Sequence, residues 1–404
     1  MWTCRALCVC AVLAFATNAN AVEFSFDGYA DLRLVVPPNE TGWVDGGSGK
    51  TRFGGTQPSP NLRFAEAIGQ GDLAIRDDLH AVAVLRIEPE TRSSIDLLET
   101  YVAWHPQASG DWRWSLKAGA FFPPVSVEND DLGWTSPYTL TPSAINSWVG
   151  DELRTIGGEG TLAWQGGGLG TLTAVASLFC CNEPAGILMA QRGWTLDDRP
   201  TGLFERVRIP DATATLYGMA VPSRTGMFEN IDGHVGWYAG LKWDVPQFGQ
   251  AAVLRYDNQA DPDAFTSRDT SWRTRFWAAS FKTRLDGATV LAQGMTGDTA
   301  IGDGVGDYFT TRFRSAFVLA SYDLGDWRIA GRAEAFATRN DPPSPLMDED
   351  GHALTAAVSW YARTWLRLTA EVLGVESRRG ARAVLGAPPL QTDMQEQLSA
   401  RLFF

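Results

Sequence analysis

The last eight residues, from Gln397 to Phe404, constrain the fold more than any other stretch. Leu398, Ala400, Leu402 and Phe404 fall on one side of a two-residue period. Gln397, Ser399 and Arg401 fall on the other, with Phe403 the exception. Such a period marks a strand standing between two different surroundings. At the edge of a sheet in water, a strand apolar on one side invites pairing with other chains. It is accommodated if it closes a sheet on itself, with the apolar face in hydrocarbon and the polar face lining a wet lumen.

The same alternation recurs along the chain. From Glu23 to Val36, Phe24, Phe26, Gly28, Ala30, Leu32, Leu34 and Val36 face one way, while Asp27, Tyr29, Asp31 and Arg33 face the other. Leu79, Ala81, Ala83, Leu85 and Ile87 oppose Arg86 and Glu88. Leu98, Val102 and Trp104 oppose Glu99 and Tyr101. Trp112, Trp114, Leu116, Ala118 and Ala120 oppose Arg113, Ser115 and Lys117, and Val235, Trp237, Ala239, Leu241 and Trp243 oppose Tyr238 and Lys242. Short polar turns such as Asp286-Gly287 and Asp323-Leu324-Gly325-Asp326 alternate with long connections such as 37–61, 123–153, 180–233, 339–351 and 377–393. The hairpins count to 16 strands, an even number, and a boundary error would move this only to 14 or 18. No linker divides residues 22–404, so they are expected to form one domain.

Residues 1–21 carry the marks of a secretory signal: Arg5, an apolar run from Ala6 to Ala16, and Ala19-Asn20-Ala21 as a cleavage site. The run is too short for a spanning helix, and no later stretch of 18 apolar residues exists. The formal charge is −13, which argues against nucleic acid as a partner. The 16 Trp are many for a water-soluble chain, and aromatic belts at two membrane interfaces would use them.

With its aromatic-terminated last strand, the chain resembles bacterial outer-membrane β-barrels. The resemblance implies an all-β, transmembrane, antiparallel up-and-down barrel with short periplasmic turns and long extracellular loops. It also implies an outer-membrane location, contact with membrane lipid and lipopolysaccharide, and recognition of the terminal strand (Leu398, Ala400, Leu402, Phe404) by the barrel-assembly machinery. A ring of sixteen strands is too wide for side chains to fill, so a water-filled channel for ions and small hydrophilic solutes is expected. A substrate-specific channel for anions or sugars, and a blocked structural or adhesive barrel, are the alternatives. A ligand-gated transporter is disfavoured, since no plug domain is read ahead of the first strand.

The connection at 123–153 is expected to fold inward. It opens Phe121-Phe122-Pro123-Pro124 and then places Glu128, Asp130 and Asp131 within four positions. Here the chain, from about Leu97 to Glu128, resembles the phosphate-selective porin O and P family. The matching features are a tyrosine-bearing strand, Glu99-Thr100-Tyr101-Val102-Ala103-Trp104, and a Phe- and Pro-containing loop start. The negative charge and the lack of a lysine cluster in the loops do not extend this to phosphate selectivity. Trimeric porins fold their third loop into the lumen, which implies a constriction here and a homotrimer.

The constriction is expected to set Glu128, Asp130 and Asp131 against lumen-facing cations. By parity these cations are Arg33, Arg86, Lys117, Lys242, Arg255, Arg332, Arg367 and Arg401. Opposed acidic and basic arrays create a transverse field that sets ion preference. The same residues could equally be wall charges paired with Asp31, Glu99, Asp257, Glu334 and Glu371. Tyr101, Tyr238, Phe276 and Tyr361 are candidates for an aromatic track along the lumen, or else for bracing the wall. Enzymatic chemistry is not expected: the four His are scattered, and no metal-binding spacing, GxSxG or Ser/His/Asp set is present. No cofactor is implied. Cys180-Cys181 reads as a local structural feature or two free thiols, with a vicinal disulfide as the alternative.

Overall fold

The computed structural model describes residues 23–55, 59–89, 93–217, 221–266, 270–302, 306 and 308–404. The signal sequence expected over residues 1–21 lies outside them. The first seven strands are β1 (Glu23–Val36), β2 (Asn61–Arg76), β3 (Leu79–Ile87), β4 (Ile95–Trp104), β5 (Trp112–Phe121), β6 (Thr155–Gln165) and β7 (Thr171–Cys180). β8 (Arg206–Arg208) and β9 (Arg224–Gly226) form a separate two-stranded sheet within the next connection. Then follow β10 (Val235–Val245), β11 (Gly249–Asp257), β12 (Arg273–Leu285), β13 (Ala288–Gly302) and β14 (Tyr308–Leu324). β15 (Trp327–Asp341), β16 (Glu349–Arg363), β17 (Leu366–Arg379) and β18 (Leu390–Phe403) complete the set.

Sixteen of these strands make one closed antiparallel barrel, as the hairpin count anticipates. Each pairs with its neighbour in sequence, except that β7 pairs with β10 across the long connection that carries β8 and β9. The ring is sealed by β18 against β1, with Leu34 opposite Leu398, Leu32 opposite Ala400 and Asp31 opposite Arg401. The Phe404 amide and carbonyl exchange hydrogen bonds with Gly28 at 3.0 and 2.9 Å. Closure leaves no row of unpaired backbone groups, the condition a sheet must meet in hydrocarbon.

The period of two sorts the wall into two faces. Leu398, Leu402 and Phe404 are exposed on the outside together with Phe24, Phe26, Leu32, Leu116, Leu241, Val318 and Leu354. Aromatics gather at the short-turn end of this outer face. Phe26 stacks on Phe24 and Phe404 (centroids 6.4 and 5.9 Å) and Trp327 on Trp360 (5.5 Å), while Trp104 meets Trp114 edge to face (4.9 Å). The Asp286-Gly287 turn has positive φ at both residues (45° and 86°), the conformation a two-residue hairpin loop needs.

Two features depart from the expected pattern. Leu98 was expected outside, but the register shifts between Val84 and Leu85, and Leu98 turns inward against Tyr29, Ile68, Val82 and Val84. A bulge inserts one residue and so reverses the local parity. Strands β13 to β18 run 14 to 17 residues, taking up much of the sequence expected as loops, whereas β3 to β7 run 9 to 11. One side of the cylinder is therefore taller.

Gly28 sits where the ring seals. A Cβ built there would lie 2.4 Å from the Phe404 ring and 2.8 Å from the Ile68 carbonyl. Gly28→Val is expected to destabilise the closed barrel by about 1–3 kcal/mol. The check is the temperature at which the folded band is lost in unheated-versus-heated gel mobility. An unchanged transition would show that the seam does not depend on this contact.

Candidate functional site

Three long connections enter the barrel and fill it. The first to consider follows β5. Pro123 and Pro124 end that strand, and the chain turns inward to α1 (Ala144–Glu152), all nine of whose residues are buried. Ser143 caps its start by accepting from the Asn146 amide. At its other end the Arg154 guanidinium donates to the carbonyls of Gly150 (3.0 Å), Leu153 (2.8 Å) and Thr201 (2.6 Å). A cation there meets the negative end of the helix dipole.

The wall holds this segment through buried charges. Arg332 of β15 reaches Glu128 (2.8 Å) and Glu334 (2.8 Å) and also donates to the carbonyls of Thr141 (2.7 Å) and Pro142 (3.0 Å). Glu334 accepts from the Ala144 amide at 2.7 Å. Glu371 of β17 accepts from the amides of Leu140 (2.5 Å) and Thr141 (3.0 Å), and Gln293 of β13 donates to the Val125 carbonyl at 2.8 Å.

The second connection follows β7. There Cys180 and Cys181 form a vicinal disulfide, not two free thiols. The chain then forms α2 (Ala185–Arg192), which packs on β12, β13 and β14. Glu183 accepts from the Tyr256 hydroxyl at 3.0 Å, and burial pushes its carboxyl up to about 7. The third connection, after β1, brings in Trp43, Lys50, Arg52 and Phe53, all buried. Lys50 donates to the Trp194 carbonyl (2.9 Å) and pairs with Glu349 of β16; burial lowers its ammonium to about 8.

The three connections meet at Arg192. Its guanidinium contacts Asp151 (3.3 Å) and Glu152 of α1 and lies 3.8 Å from the centroid of the Trp43 ring; the indole N–H of Trp43 donates to Asp197 at 3.0 Å. Two buried carboxyls thus share one guanidinium, and a third, Asp197, is tied to the node through the Trp43 indole. Burial raises all three, Glu152 to about 8. Beside this node lies an ion network. Glu88 meets Arg52 (3.0 Å), Arg86 (3.1 Å) and Arg199 (3.0 Å), while Glu205 meets Arg86 (2.7 Å) and Arg199. Asp198 meets Arg33, which with Arg401 also holds Asp31 (2.8 and 3.0 Å).

The residues expected at the constriction therefore lie in several places. Arg33, Arg86, Arg332 and Arg401 are inside and buried in ion pairs. Lys117 is inside, paired with Glu159 at 3.0 Å, and Lys242 pairs with Asp244 at 3.2 Å near the short-turn end. Glu128 is fully buried and acts as an anchor of the loop, not as a group facing an open passage. Asp130 and Asp131 are exposed and turn toward the short-turn end, where Lys282 lies 2.5 Å from Asp130 and Arg367 3.9 Å from Asp131.

Arg255 does not face the lumen. Its neighbours Leu254 and Tyr256 take the inner face, so Arg255 points outward over the exposed Trp277 ring at 5.5 Å. The four aromatics do not form one track. Tyr238 and Phe276 are buried beneath the loops in a cluster with Phe179, Tyr256 and Trp148. Tyr101 packs on Phe121, and Tyr361 lies across the barrel between Arg328 and Arg367. Parity gave no warning of Lys50, Arg192, Asp197, Asp198, Arg199 and Glu205, which belong to connections. Their signal is compositional: Trp194-Thr195-Leu196-Asp197-Asp198-Arg199-Pro200 mixes aromatic and charged residues with no strand period.

Neither a protein-family model nor a curated protein sequence matches the chain. Solved structures do. The outer-membrane channel DcaP of Acinetobacter baumannii aligns with a TM-score of 0.58 at 11% identity, covering 96% of this chain and 99% of that one. A loop-deleted OmpT, an outer-membrane protein of Vibrio cholerae, gives 0.55 at 8%, covering 95% and 100%. Salmonella typhi OmpF gives 0.52 at 12%, covering 95% and 98%. At such identities the likeness shows the fold alone, a closed antiparallel barrel like those of these outer-membrane proteins.

Arg332→Ala leaves Glu128 and Glu334 buried without their cation and is expected to cost about 3–5 kcal/mol. Limited proteolysis would read this as faster cleavage within 123–153, and an unchanged pattern would refute the anchoring role. The Arg192 node gives a pH prediction. The protonated carboxyl of Glu152 is favoured in the folded state, so its contribution is present in mild acid and lost as pH rises through about 8. Loop cleavage is expected to accelerate across that range in the native protein and to do so less in Glu152→Gln.

Proposed function

We propose that the protein is an outer-membrane channel of small conductance, passing ions and small hydrophilic solutes through a lumen narrowed by three inward connections. The observation that carries this reading is the pairing of an apolar outer wall with an inner wall of charged and polar groups. An inner wall of that kind has no use in a packed apolar core, whereas it suits a passage for water and ions. The DcaP structure is of an outer membrane channel, and one OmpT structure is of a trimer form. The first supports channel activity here and the second a homotrimer. Membrane lipid and lipopolysaccharide would surround the wall, the assembly machinery would read the β18 terminus, and residues 1–21 would direct export.

The lumen arginines do not support phosphate selectivity. Arg33, Arg86 and Arg332 are each matched by two carboxylates, so little uncompensated positive charge remains to hold an anion. Asp130 and Asp131 are exposed toward the short-turn end, Asp130 against Lys282 and Asp131 more loosely against Arg367, so removing their charge would leave those cations to favour anions. A second reading, a barrel closed to solutes, draws on the near-complete burial of inner-wall groups such as Thr355, Glu371, Gln397 and Ser399.

Planar-bilayer recording separates the two. Small discrete steps in the full-length protein, enlarged when residues 185–205 are replaced by a short Gly/Ser linker, support the channel. No steps in either protein would favour the closed barrel. In the conducting protein, the pair Asp130→Asn and Asp131→Asn is expected to shift the reversal potential in a salt gradient toward anions. An unchanged potential would remove both residues from the selectivity path.

A further inference from the structure

A groove of about 950 Å³ runs across the outer wall of β11 to β18. Gly294, Ala316, Ala335 and Ala337 form its floor, and Trp277 and Leu390 stand at opposite sides. Its upper edge, toward the long-loop end, is charged. Arg314, Ala337, Asp350 and Arg378 lie on one line of strand register across β14, β15, β16 and β17. Three strand spacings separate the two arginines, about 14 Å.

The pairing of these arginines separates them from three neighbours; the other unpaired outward arginine of this wall that is named above, Arg255, is turned onto the Trp277 ring. Three other arginines of the same outer wall are neutralised: Arg275 by Asp298 (2.9 Å), Arg312 by Asp341 (3.1 Å) and Arg339 by Asp350 (2.5 Å). Among the described residues, Arg314 and Arg378 have no carboxylate within ion-pair distance. Two further titratable groups line this edge. His352 is opposite Glu376 in register, and Glu376 accepts from the Thr392 hydroxyl at 3.3 Å. With Asp350 already paired, the two guanidiniums are free to meet an external anion.

We propose that this groove binds a bis-phosphorylated, acylated glycolipid of the outer leaflet. Acyl chains lie on the Gly/Ala floor, where small side chains let them approach the backbone closely, and Arg314 and Arg378 each take one phosphate. A disaccharide phosphorylated at both ends has the span that the two arginines present. Guanidinium and phosphate match in planar, charge-assisted hydrogen bonding, and basic sites on membrane proteins recognise anionic lipid head groups in this way. The proposal rests on the outer-membrane placement argued above and not on conduction, so a barrel that passes no current would leave it intact.

The test uses the full-length protein folded in detergent, with native mass spectrometry under titration of bis-phosphorylated hexa-acyl lipid A. Monophosphoryl lipid A and phosphatidylglycerol serve as comparison probes. The double variant Arg314→Ala/Arg378→Ala is expected to weaken lipid A binding by at least on the order of tenfold. The variant Arg275→Ala/Arg312→Ala, which removes paired arginines, is expected to leave it near the native value, and both comparison lipids should bind more weakly. Equal losses in the two variants, no loss in either, or phosphatidylglycerol binding as tightly as lipid A would each overturn the proposal. So would oligomers abolished by Arg314→Ala/Arg378→Ala without any change in lipid binding, which would assign the face to a second copy of the chain. Heat-modifiable gel mobility confirms that each variant is folded.

Discussion

The seam between β1 and β18 is the constraint on which the other features depend. A sixteen-stranded sheet left open would expose two long edges, each carrying a row of unpaired amides and carbonyls. In hydrocarbon every such group costs several kcal/mol, so no partial closure is stable there. The seam closes because the two terminal strands have compatible patterns. Both place apolar residues outward at alternate positions, and both place ions inward, so that Asp31 of one meets Arg401 of the other. Gly28 gives the Phe404 ring room to cover the last hydrogen bonds. Ring closure then fixes the lumen diameter and therefore the space that the connections must fill.

What fills it is chain held by charge. A buried ion pair seldom stabilises a protein more than an apolar replacement would, but removing one partner is costly. The inner wall uses this asymmetry. Arg332 cannot be satisfied by wall residues alone; it takes Glu128 and two carbonyls from the loop. Arg86 takes Glu205 from the second connection, and Glu349 takes Lys50 from the third. Each inward segment thus supplies the partner that a wall charge lacks, and a displaced loop would leave those charges uncompensated. Positions are specified more strictly than in an apolar plug, where one packing arrangement can slip to another.

The wall was legible in the sequence because its physics is periodic. Where two solvents face two sides of a strand, each residue reports its own direction, and strands such as β1, β3, β5 and β10 follow their alternation. The alternation misled where the period or its polarity changed. A bulge turned Leu98 inward. Arg255 keeps the period of β11 with its polarity inverted: Leu254 and Tyr256 take the inner face, and its guanidinium lies over Trp277 on the outer one. The inward loop was visible in part from its Pro-Pro start and its carboxylates. The roles within it were not, because Glu128 and Asp130 look alike in sequence and differ only in whether a wall arginine lies within reach. The connections that carry Lys50 and Arg192 have no repeating environment at all, so nothing local marks which of their charges go inside.

The uneven height of the cylinder links these observations. Strands β12 to β17 extend past the apolar band on the long-loop side, and α2 leans on β12, β13 and β14 while Trp194 donates to the Ala337 carbonyl at 3.2 Å. The tall side thus backs α2 and Trp194, while the short strand β3 holds the second connection from the opposite side through Arg86. On its outer surface the same extension carries charge above the band, at Arg312, Arg314, Arg339, Asp350 and Arg378, where head groups and water can solvate it. Glu396 is the exception: it is exposed outward between Met394 and Leu398, below that charged zone. An outward carboxylate costs less near the interface than at the bilayer centre. It sits opposite Val36, the last residue of β1, at the level where that strand leaves the sheet. β1 and β18 are equally long, so it is their stagger at the seam that places Glu396 where the wall beside it ends.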